Sequence, residues 1–569
     1  MAETKKQKIE LLRSSLDLER SSFVAHWRDI ADVILPRRPL WNLTDTNRGE
    51  RRNLKIVDET GTLAARTLSA GMMGGITSPA RPWFRLTTPD PDLAEFGPVK
   101  DWLHIVDQRM SAVFLRSNLY NALPIVYGDI GVFGTAALMA EEDFDDVLRC
   151  YPFALGSYML AANDKLKVDV FFREFRLTVR QLVQKFGRHN ELGVPRWDNF
   201  SVRVKNAYDR GQYDEWIDIC HIIQPNVDYS PNSLTSKKYE SIYYEKGMPD
   251  ANSNEGQYLR ESGYDYFPVL APRWEVAGED VYGTNCPGMI ALGGVRQLQL
   301  GEKRIMQAVE KMINPPMIGP LSLRGAKASI LPGDITYLDE REGLKGFRPA
   351  HEVAFNIQPM EMKQEQVRQR IRKAFYEDLF LMFANLERSD ITATEINARR
   401  EEKLLVLGPV LEQLNQDLLD PLIDITFDLM ARQGFIPEPP EELQGTVLKV
   451  EYMSIMHQAQ KASGLAGIER LTAFTGQVAA FDPEVIDKLD RDQLIDEYAG
   501  ITGAPPRIVR SDEQVAEIRM QRAQAQQAQQ AAQAAQEGAK AVKNLSGADM
   551  SGDNALTRLI QQSQAGAVA

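Results

Sequence analysis

Glycine-rich stretches can hold phosphate groups against their backbone, and this 569-residue sequence has two of them, at 71–75 and 128–134. Phosphate or dinucleotide binding requires one of two spacings, G-x-x-x-x-G-K-[ST] or G-x-G-x-x-G. The first stretch, GMMGG, is not followed by Gly-Lys-Ser/Thr, and the second, GDIGVFG, has a glycine at every third position. We therefore interpret both as places where backbones pack closely or helices end.

Acidic side chains gather at residues 141–146, in the segment EEDFDD, where they could bind a metal ion or act as an acid–base pair. A calcium loop of the EF-hand type needs alternating ligands, a central glycine and a distal glutamate, and this segment lacks that pattern. Alternating residues on both sides indicate two strands. A solvated hairpin tip is therefore the favoured interpretation.

The histidines and cysteines are scattered along the chain. None of the six histidines lies three or four residues from another histidine or from a cysteine, as the common zinc spacings require. An odd number of distant cysteines indicates reduced, structural thiols, and these are Cys150, Cys220 and Cys286. Motifs of hydrolases, metalloproteases and kinases do not occur. The sequence thus predicts a protein that is not an enzyme and that uses no cofactor or metal.

The segment RPWFR contains the side chains most typical of a binding surface. Tryptophan and arginine are the usual anchors of protein interfaces, so this segment could contact another subunit. It could equally form a packed corner after the Ser-Pro turn, and a subunit contact would satisfy both interpretations. The residues concerned are Arg81, Trp83, Phe84 and Arg85.

The charge balance restricts the partners. A formal net charge of −13 disfavours a protein that binds nucleic acid through a general basic surface. Apolar runs are too short for a transmembrane helix, and the charged first twenty residues lack the apolar core of a secretory signal. We expect the protein to be made and kept in the cytoplasm, or in something assembled there.

The elements that must position these residues change along the chain. Helical patterns and period-two strands alternate up to residue 290, which predicts an α+β fold that is predominantly helical overall. Two helical patterns, at 291–314 and 357–384, then enclose a short β segment. A further pattern at 392–434 keeps its period through Gly408-Pro409 and Pro421, which predicts a long kinked helix. Residues 521–536 are Ala and Gln apart from Arg522, so this segment is either a frayed helix or one helix of a multi-chain bundle.

Three stretches carry a resemblance to a known family: DETGTLAARTLSAGMMGGITSPARPWFRLTTPDPDL, SNLYNALPIVYGDIGVFGTAALMAEED and RCYPFALGSYML. They resemble the head-to-tail connector, or portal, protein of short-tailed bacteriophages. The resemblance covers most of residues 15–435, is strongest at 56–185, and is much less specific in the last hundred residues. Its most specific signature is GMMGGITSPARPWF.

The resemblance implies a homo-oligomeric ring, usually of twelve subunits, at one vertex of the capsid. Double-stranded DNA would pass through its channel without sequence specificity, and the partners would be terminase, the major capsid protein and tail adaptor proteins. The protein would belong to the virion and be assembled in the host cytoplasm. The family architecture assigns a wing (1–290), a first stem helix (291–314), a clip (315–356), a second stem helix (357–384), a channel loop (385–391), the long kinked helix (392–434), a crown (435–518) and an Ala/Gln-rich helix with a flexible tail (519–569).

Within that architecture, a few charged residues become candidates for the DNA channel. Twelve copies at −13 each would carry a formal charge of −156, which suits a wall that lets phosphates slide past. Each candidate could instead lie on a solvated helix face or form a salt bridge between subunits. A non-channel virion protein, such as a tail adaptor or an internal core component, is the alternative function. The candidates are Lys303, Arg304, Lys311, Arg324, Lys327, Glu387, Arg388 and Asp390.

Overall fold

A computed structural model of the chain provides the fold. It describes residues 4–44, 49–50, 52–189, 195–231, 233, 236–247, 258–315, 317–318, 348–349, 358–384, 407–453, 455–502, 509–510 and 512–546. The chain divides into two compact units. The first comprises Met1–Leu86, Ile105–Glu438 and Val450–Gly464, and the second comprises Thr87–His104, Pro439–Lys449 and Leu465–Ala569.

Helices make up much of the described chain. In chain order they are α1 (Lys5–Ala31), α2 (Thr60–Ile76), α3 (Pro91–Glu95), α4 (Gly97–Arg116), α5 (Leu119–Phe133), α6 (Val179–Phe186), α7 (Val202–Asp209), α8 (Pro287–Ile313), α9 (Gln358–Ala374), α10 (Glu377–Ala384), α11 (407–414), α12 (Asp420–Arg432), α13 (Ile455–Ala479), α14 (Arg491–Thr502) and α15 (Asp512–Ser546). Within the described residues, no helix is long and apolar enough to cross a membrane.

The strands are short and antiparallel where their register is known. They are β1 (Phe84–Thr87), β2 (Leu138–Asp143), β3 (Val147–Pro152), β4 (Tyr158–Ala162), β5 (Val168–Thr178), β6 (Arg188–His189), β7 (Pro195–Arg196), β8 (Trp216–Pro225), β9 (Tyr239–Glu245), β10 (Arg260–Tyr264), β11 (Val269–Leu270), β12 (Met317–Ile318), β13 (Arg348–Pro349) and β14 (Lys449–Tyr452). The larger sheets have the orders β10-β9-β8-β5-β4 and β11-β2-β3, and three strand pairs, β1-β14, β6-β7 and β12-β13, complete the pairing. The expected α+β class, with helix predominating, is confirmed at this level.

The five-stranded sheet lies between helices on both faces. Helix α1 covers one face, and it begins at a capping box in which Thr4 and Gln7 exchange hydrogen bonds. Helices α6 and α7 cover the other face through a core that includes Val179, Leu182 and Val204. A single helix of 27 residues thus lies on this face of the sheet. The core under α1 consists of Ile9, Leu16, Met159, Phe172, Cys220, Ile222, Ile242 and Tyr244.

All three cysteines lie in the interior of the first unit. Cys150, Cys220 and Cys286 are free thiols, each at most 1% exposed. Burial raises the pKa of each thiol to about 12. They behave as small apolar core residues, as their distant spacing in the sequence predicts.

The second predicted helix of the 291–384 region is interrupted. Instead of one rod over 357–384, α9 ends at Ala374 and α10 begins at Glu377. Tyr376 adopts a left-handed backbone conformation with φ of 55°. This turn resets the helical phase so that both Phe375 and Phe380 become buried, at 0% and 4% exposure. A continuous helix would place these two rings on different faces.

The long helical segment after residue 407 is irregular at a π-helical turn, whereas the sequence predicts a kink at the prolines. A π-helical turn, Asn415–Leu419, lies between α11 and α12. Pro421 stands in the first turn of α12, immediately after the wide turn. Because proline has no N–H to donate, the preceding turn loses an α-helical hydrogen bond, and the π turn takes up the resulting irregularity. The part of this predicted helix at 392–406 lies outside the described residues.

The second unit is helical and has few buried side chains among its described residues. Helix α14 is joined to α15 by a bidentate ion pair, in which Arg519 donates to Asp492 at 2.7 and 2.8 Å. The 35-residue α15 contains the whole Ala/Gln stretch, and its described side chains are almost all exposed. A long helix without an apolar face has no core of its own.

Candidate functional site

The glycines of the first glycine-rich stretch serve close packing of α2. A side chain at Gly71 would place its Cβ 2.1 Å from the ring of Phe380 in α10. On the other side, Leu68 fills the space above Gly131 of α5, where a Cβ would lie 2.1 Å from the leucine Cδ2. The helix continues through Gly74-Gly75 and ends at Ile76, beyond the predicted end at the glycine pair.

The segment RPWFR forms a partly aromatic corner. Trp83 and Phe84 are 2% and 3% exposed, and their rings lie 4.7 Å apart. Both rings contact Phe114 of α4 at 5.7 Å, and the indole N–H of Trp83 donates to the hydroxyl of Tyr120 at 3.1 Å. The two arginines differ from the rings, because Arg81 is exposed and Arg85 is half-buried.

Next to this corner lies Asp107, a carboxyl group whose pKa is raised. Asp107 of α4 accepts a hydrogen bond from the backbone N–H of Leu86 at 3.0 Å. Burial raises the pKa of Asp107 to about 7, although the N–H of Leu86 and the charge of Arg85 both act to lower it. No pattern in the sequence singles out this residue.

The acidic segment 141–146 comprises the end of β2 and the turn that leads to β3, so the predicted hairpin is confirmed. Asp143 accepts hydrogen bonds from the backbone N–H groups of Asp145 and Asp146 and from Arg149, at 2.9, 3.3 and 2.8 Å. These bonds, first the one from Asp145, lower the pKa of the Asp143 carboxyl. Its oxygens are thus engaged within the turn. No group of three His, Cys, Asp or Glu side chains in the described part of the chain could hold a metal ion.

Helices α8 and α9 are the elements that the sequence predicts on either side of the β excursion, and they pack directly against each other. Gly294 of α8 lies against Val367 and Ile371 of α9, where a Cβ would find ordinary contacts of 3.4–3.9 Å. Two helical turns further along α8, Gly301 lies against the side-chain amide of Gln364. Small residues at a seven-residue spacing therefore bring the two helices close together.

Carboxylates of α9 itself and of neighbouring elements neutralise the arginines on one flank of α9. Arg368 donates from Nε to Asp58 at 3.0 Å, from Nη2 to Glu302 of α8, and from Nη1 to Glu365 at 3.5 Å. Arg372 lies 3.8 Å from Glu365 on the same flank. This network ties the start of α2, the middle of α8 and α9 into one body.

The opposite flank of α9 is cationic. Lys363, Arg370 and Lys373 line an open groove of about 530 Å³ together with Gln366 and Gln369. The three cations are exposed, and none has a carboxylate oxygen within 4.0 Å among the described residues. None of its lining residues in the described part of the chain is an apolar anchor, so its chemistry suits phosphate oxygens better than a protein surface.

The candidates chosen from the sequence fall in two groups. Lys303, Arg304 and Lys311 are exposed on α8, where Arg304 donates to the amide oxygen of Gln307 at 3.2 Å. The sequence-based candidates did not include Lys363, Arg370 and Lys373 of α9. These residues are seven and three positions apart in MKQEQVRQRIRK, a spacing that places them on one helix face. The remaining candidates lie outside the described residues: Arg324, Lys327, Glu387, Arg388 and Asp390.

Comparisons with known proteins agree with the resemblance. A model of the family "Bacteriophage head to tail connecting protein" matches residues 6–509. The chain is 46% identical over 561 residues to the portal protein of Salmonella phage epsilon15, with 98% of each chain covered. It is 42% identical over 560 residues to the probable portal protein of Bordetella phage BPP-1, again over 98% of both. A solved chain from the neck of an empty GTA particle covers 82% of this chain at a TM-score of 0.32 and 12% identity, a similarity too low to define a common fold.

The family match spans most of the sequence, including all three stretches that carry the resemblance. The two curated relatives extend the similarity to nearly the full length. This chain belongs to the bacteriophage head-to-tail connecting protein family.

Proposed function

We propose that this protein is the subunit of a portal, a ring at one vertex of a bacteriophage capsid through which double-stranded DNA enters and leaves. The observation that carries the proposal is the 46% identity, over 98% of each chain, to a protein named a portal protein. Identity at that level over nearly the full length of both chains supports a common fold and a common role. The protein would be part of the virion, assembled in the host cytoplasm, with terminase, capsid and tail adaptor proteins as its partners.

The family architecture accounts for the order of elements along the chain. Helix α8 and the pair α9–α10 would form the stem, and the intervening residues would form the clip. The β12–β13 pair supports this assignment, because Met317 faces Pro349 at the base of the excursion. The α+β region before α8 would be the wing, and residues 435–518 the crown. Helix α15, which lacks an apolar face, would contribute to a helical barrel.

The charge distribution supports a channel through which DNA slides. The chain as a whole is acidic, at −13, so phosphates are repelled from most of its surface. The cationic flank of α9 and the exposed cations of α8 would then provide isolated, weak contacts that guide the duplex. Few such contacts mean a shallow dependence on salt and little resistance to movement.

Ring formation is tested by imaging the purified full-length protein in negative stain. The portal proposal predicts rings with a central hole. Compact monomers or filaments would contradict it and would favour a tail adaptor or an internal core protein. Mass measurement in solution gives the number of subunits, for which the family suggests twelve.

The DNA-guiding role is tested separately in particles assembled with the variant Arg370→Glu/Lys373→Glu. We expect rings to form normally but fewer particles to retain a full genome, because two contacts per subunit become repulsive. The matched control is Arg180→Glu/Lys205→Glu, which makes the same charge change at exposed positions of α6 and α7. Equal packaging in both variants would remove the α9 flank from the DNA path. Charge reversal at Arg388 tests the predicted channel loop in the same assay.

A further inference from the structure

A row of polar side chains crosses the five-stranded sheet on the face covered by α6. Arg173 of β5 pairs in register with His221 of β8, His221 with Tyr243 of β9, and Tyr243 with Arg260 of β10. Side chains directly opposite each other on neighbouring strands share a face of the sheet. The two arginines therefore stand on either side of the His221–Tyr243 pair, separated by three strand spacings of about 4.8 Å.

Aromatic rings surround the charges of this row. The rings of His221 and Tyr243 are stacked, with centroids 3.7 Å apart and an interplanar angle of 8°. The ammonium group of Lys185, on α6, lies 5.4 Å from the Tyr243 ring. The guanidinium of Arg173 lies 4.0 Å from the ring of Phe175 and 4.6 Å from that of Phe153. We call Arg173, Lys185, His221, Tyr243 and Arg260 the Tyr243 cluster.

The positive charge of the Tyr243 cluster is not neutralised by the described residues. None of its three cations has a carboxylate oxygen within 4.0 Å in that part of the chain. The acid that acts on it is Glu141 of β2, which also accepts a hydrogen bond from Tyr264 at 3.1 Å. Three cations and one carboxylate leave a net charge of +2.

Two buried polar atoms of this cluster lack a hydrogen-bond partner among the described residues. They are Arg173 Nε and His221 Nδ1, whereas His221 Nε2 lies 3.0 Å from the hydroxyl oxygen of Ser241. Burial, and then the charges of Arg173, Lys185 and Arg260, hold the pKa of His221 well below its usual range, so the imidazole is neutral and adds no charge. Burial, followed by the charge of Arg173, also lowers the pKa of Lys185. Repulsion of this kind between cations is relieved when an anion binds among them.

We propose that the Tyr243 cluster is a binding site for a divalent oxyanion, of which hydrogen phosphate is the simplest member. Guanidinium groups offer forked donors to such oxygens, and an ammonium group adds a point charge. Two negative charges match the net charge of the cluster, and the aromatic walls reduce the competition from water. The bound anion would join β5, β10 and α6. This proposal is independent of the portal function.

Isothermal titration of the full-length, assembled protein with inorganic phosphate tests the site, at about pH 8 where phosphate is divalent. The variant is Lys185→Gln/Arg260→Gln, which leaves the half-buried Arg173 in place so that the sheet still folds. We expect its affinity for phosphate to be at least ~10-fold lower, since each charge-assisted hydrogen bond is worth about a factor of ten or more. The matched control, Arg180→Gln/Lys205→Gln, removes the same charge from exposed positions nearby and keeps the native affinity.

Further titrations at equal ionic strength define the ligand class. Sulfate binding with the same dependence on Lys185 and Arg260 supports a site for divalent oxyanions. Tighter binding of acetate than of phosphate would overturn the assignment, because it would indicate a carboxylate site. Two other results would also overturn it: no saturable phosphate binding by the native protein, or equal binding by the native protein and the Lys185→Gln/Arg260→Gln variant.

Discussion

Gly71 and Gly74 lie three residues apart in α2 and meet different surroundings. Phe380 Cβ and the first ring atoms, Cγ and Cδ1, occupy the space that a side chain at Gly71 would need. By contrast, nothing lies within 4 Å of a Cβ at Gly74. Phe380 is buried, so its ring cannot turn aside freely. Of the two glycines, only Gly71 is required by its neighbours to be glycine.

Alanine substitutions at these two positions should act in opposite directions. Gly71→Ala forces the α2–α10 contact apart and should destabilise the protein by about 1–3 kcal/mol. Gly74→Ala adds a better helix former at an open position and should stabilise it by about 0.5–1 kcal/mol. Chemical unfolding of both variants measures the difference. Equal effects at the two sites would contradict the packing seen around Gly71.

Asp107 gives the aromatic corner a dependence on pH. Its pKa rises from 3.8 to about 7 on folding, so the folded state holds one more proton than the unfolded chain between those values. This contribution to stability is present at low pH and is lost as the pH rises through about 7.

The variant Asp107→Asn tests whether stability falls as the pH rises. An amide keeps the acceptor for the N–H of Leu86 but never ionises, so Asp107→Asn should be more stable than the native protein at about pH 8, and by a smaller margin at about pH 5. Thermal unfolding at the two pH values measures the effect. A variant that is less stable at both would show that the carboxylate has a favourable charge partner.

At the scale of elements, the π turn between α11 and α12 is held by a buried ion pair. Arg273 is fully buried, and it donates to the two carboxylate oxygens of Asp417 at 2.9 and 3.2 Å. Arg273 also donates from Nη2 to the carbonyl of Leu166, at 2.9 Å. The wide turn is thus fixed to the loop between β4 and β5.

Removing the charge of Asp417 should leave Arg273 buried without its counter-ion. Asp417→Asn is expected to cost about 3 kcal/mol, because an uncompensated interior charge is strongly unfavourable. Asp428→Asn on α12 is the control, since Asp428 pairs with Arg432 at the surface and should contribute no more than about 0.5 kcal/mol. A similar loss in both variants would mean that the pair does not stabilise the π turn.

The sequence predicts the existence of these elements better than their irregularities. Alternating residues identify the β2–β3 hairpin, and apolar periodicity identifies α8, because these patterns depend only on neighbouring positions. The break at Tyr376 was not predicted, since no glycine or proline marks it. Its cause is tertiary: both Phe375 and Phe380 reach the core. The same limit applies to the bend at 415–419, which was expected at the prolines themselves.

For the charged clusters too, the sequence predicts what neighbouring positions determine, but not what depends on distant residues. The cations of α9 share one helix face, so their spacing could have been noticed in the sequence. That Arg368 is neutralised while Arg370 is not could not be predicted, because Asp58 lies 310 positions away along the chain. Likewise, the Tyr243 cluster draws its members from three strands and a helix whose register only the folded sheet defines.

At the scale of the whole molecule, the first unit should fold without the C-terminal helix. The described side chains of α15 are almost all exposed, so its removal uncovers little apolar surface. Truncation after Arg510 should leave the main unfolding transition unchanged in differential scanning calorimetry, while the helical signal in circular dichroism falls. A clear drop in the transition temperature would show that residues 511–569 stabilise the folded body.

The burial of all three cysteines has a practical consequence for measuring this protein in action. Thiol reagents attack the exposed thiolate, and none of Cys150, Cys220 or Cys286 presents one in the native state. A single cysteine introduced at Phe144, which is 88% exposed at the hairpin tip, would therefore take a fluorophore alone. Pairs of labelled subunits could then report distances and their fluctuations without any prior replacement of native residues.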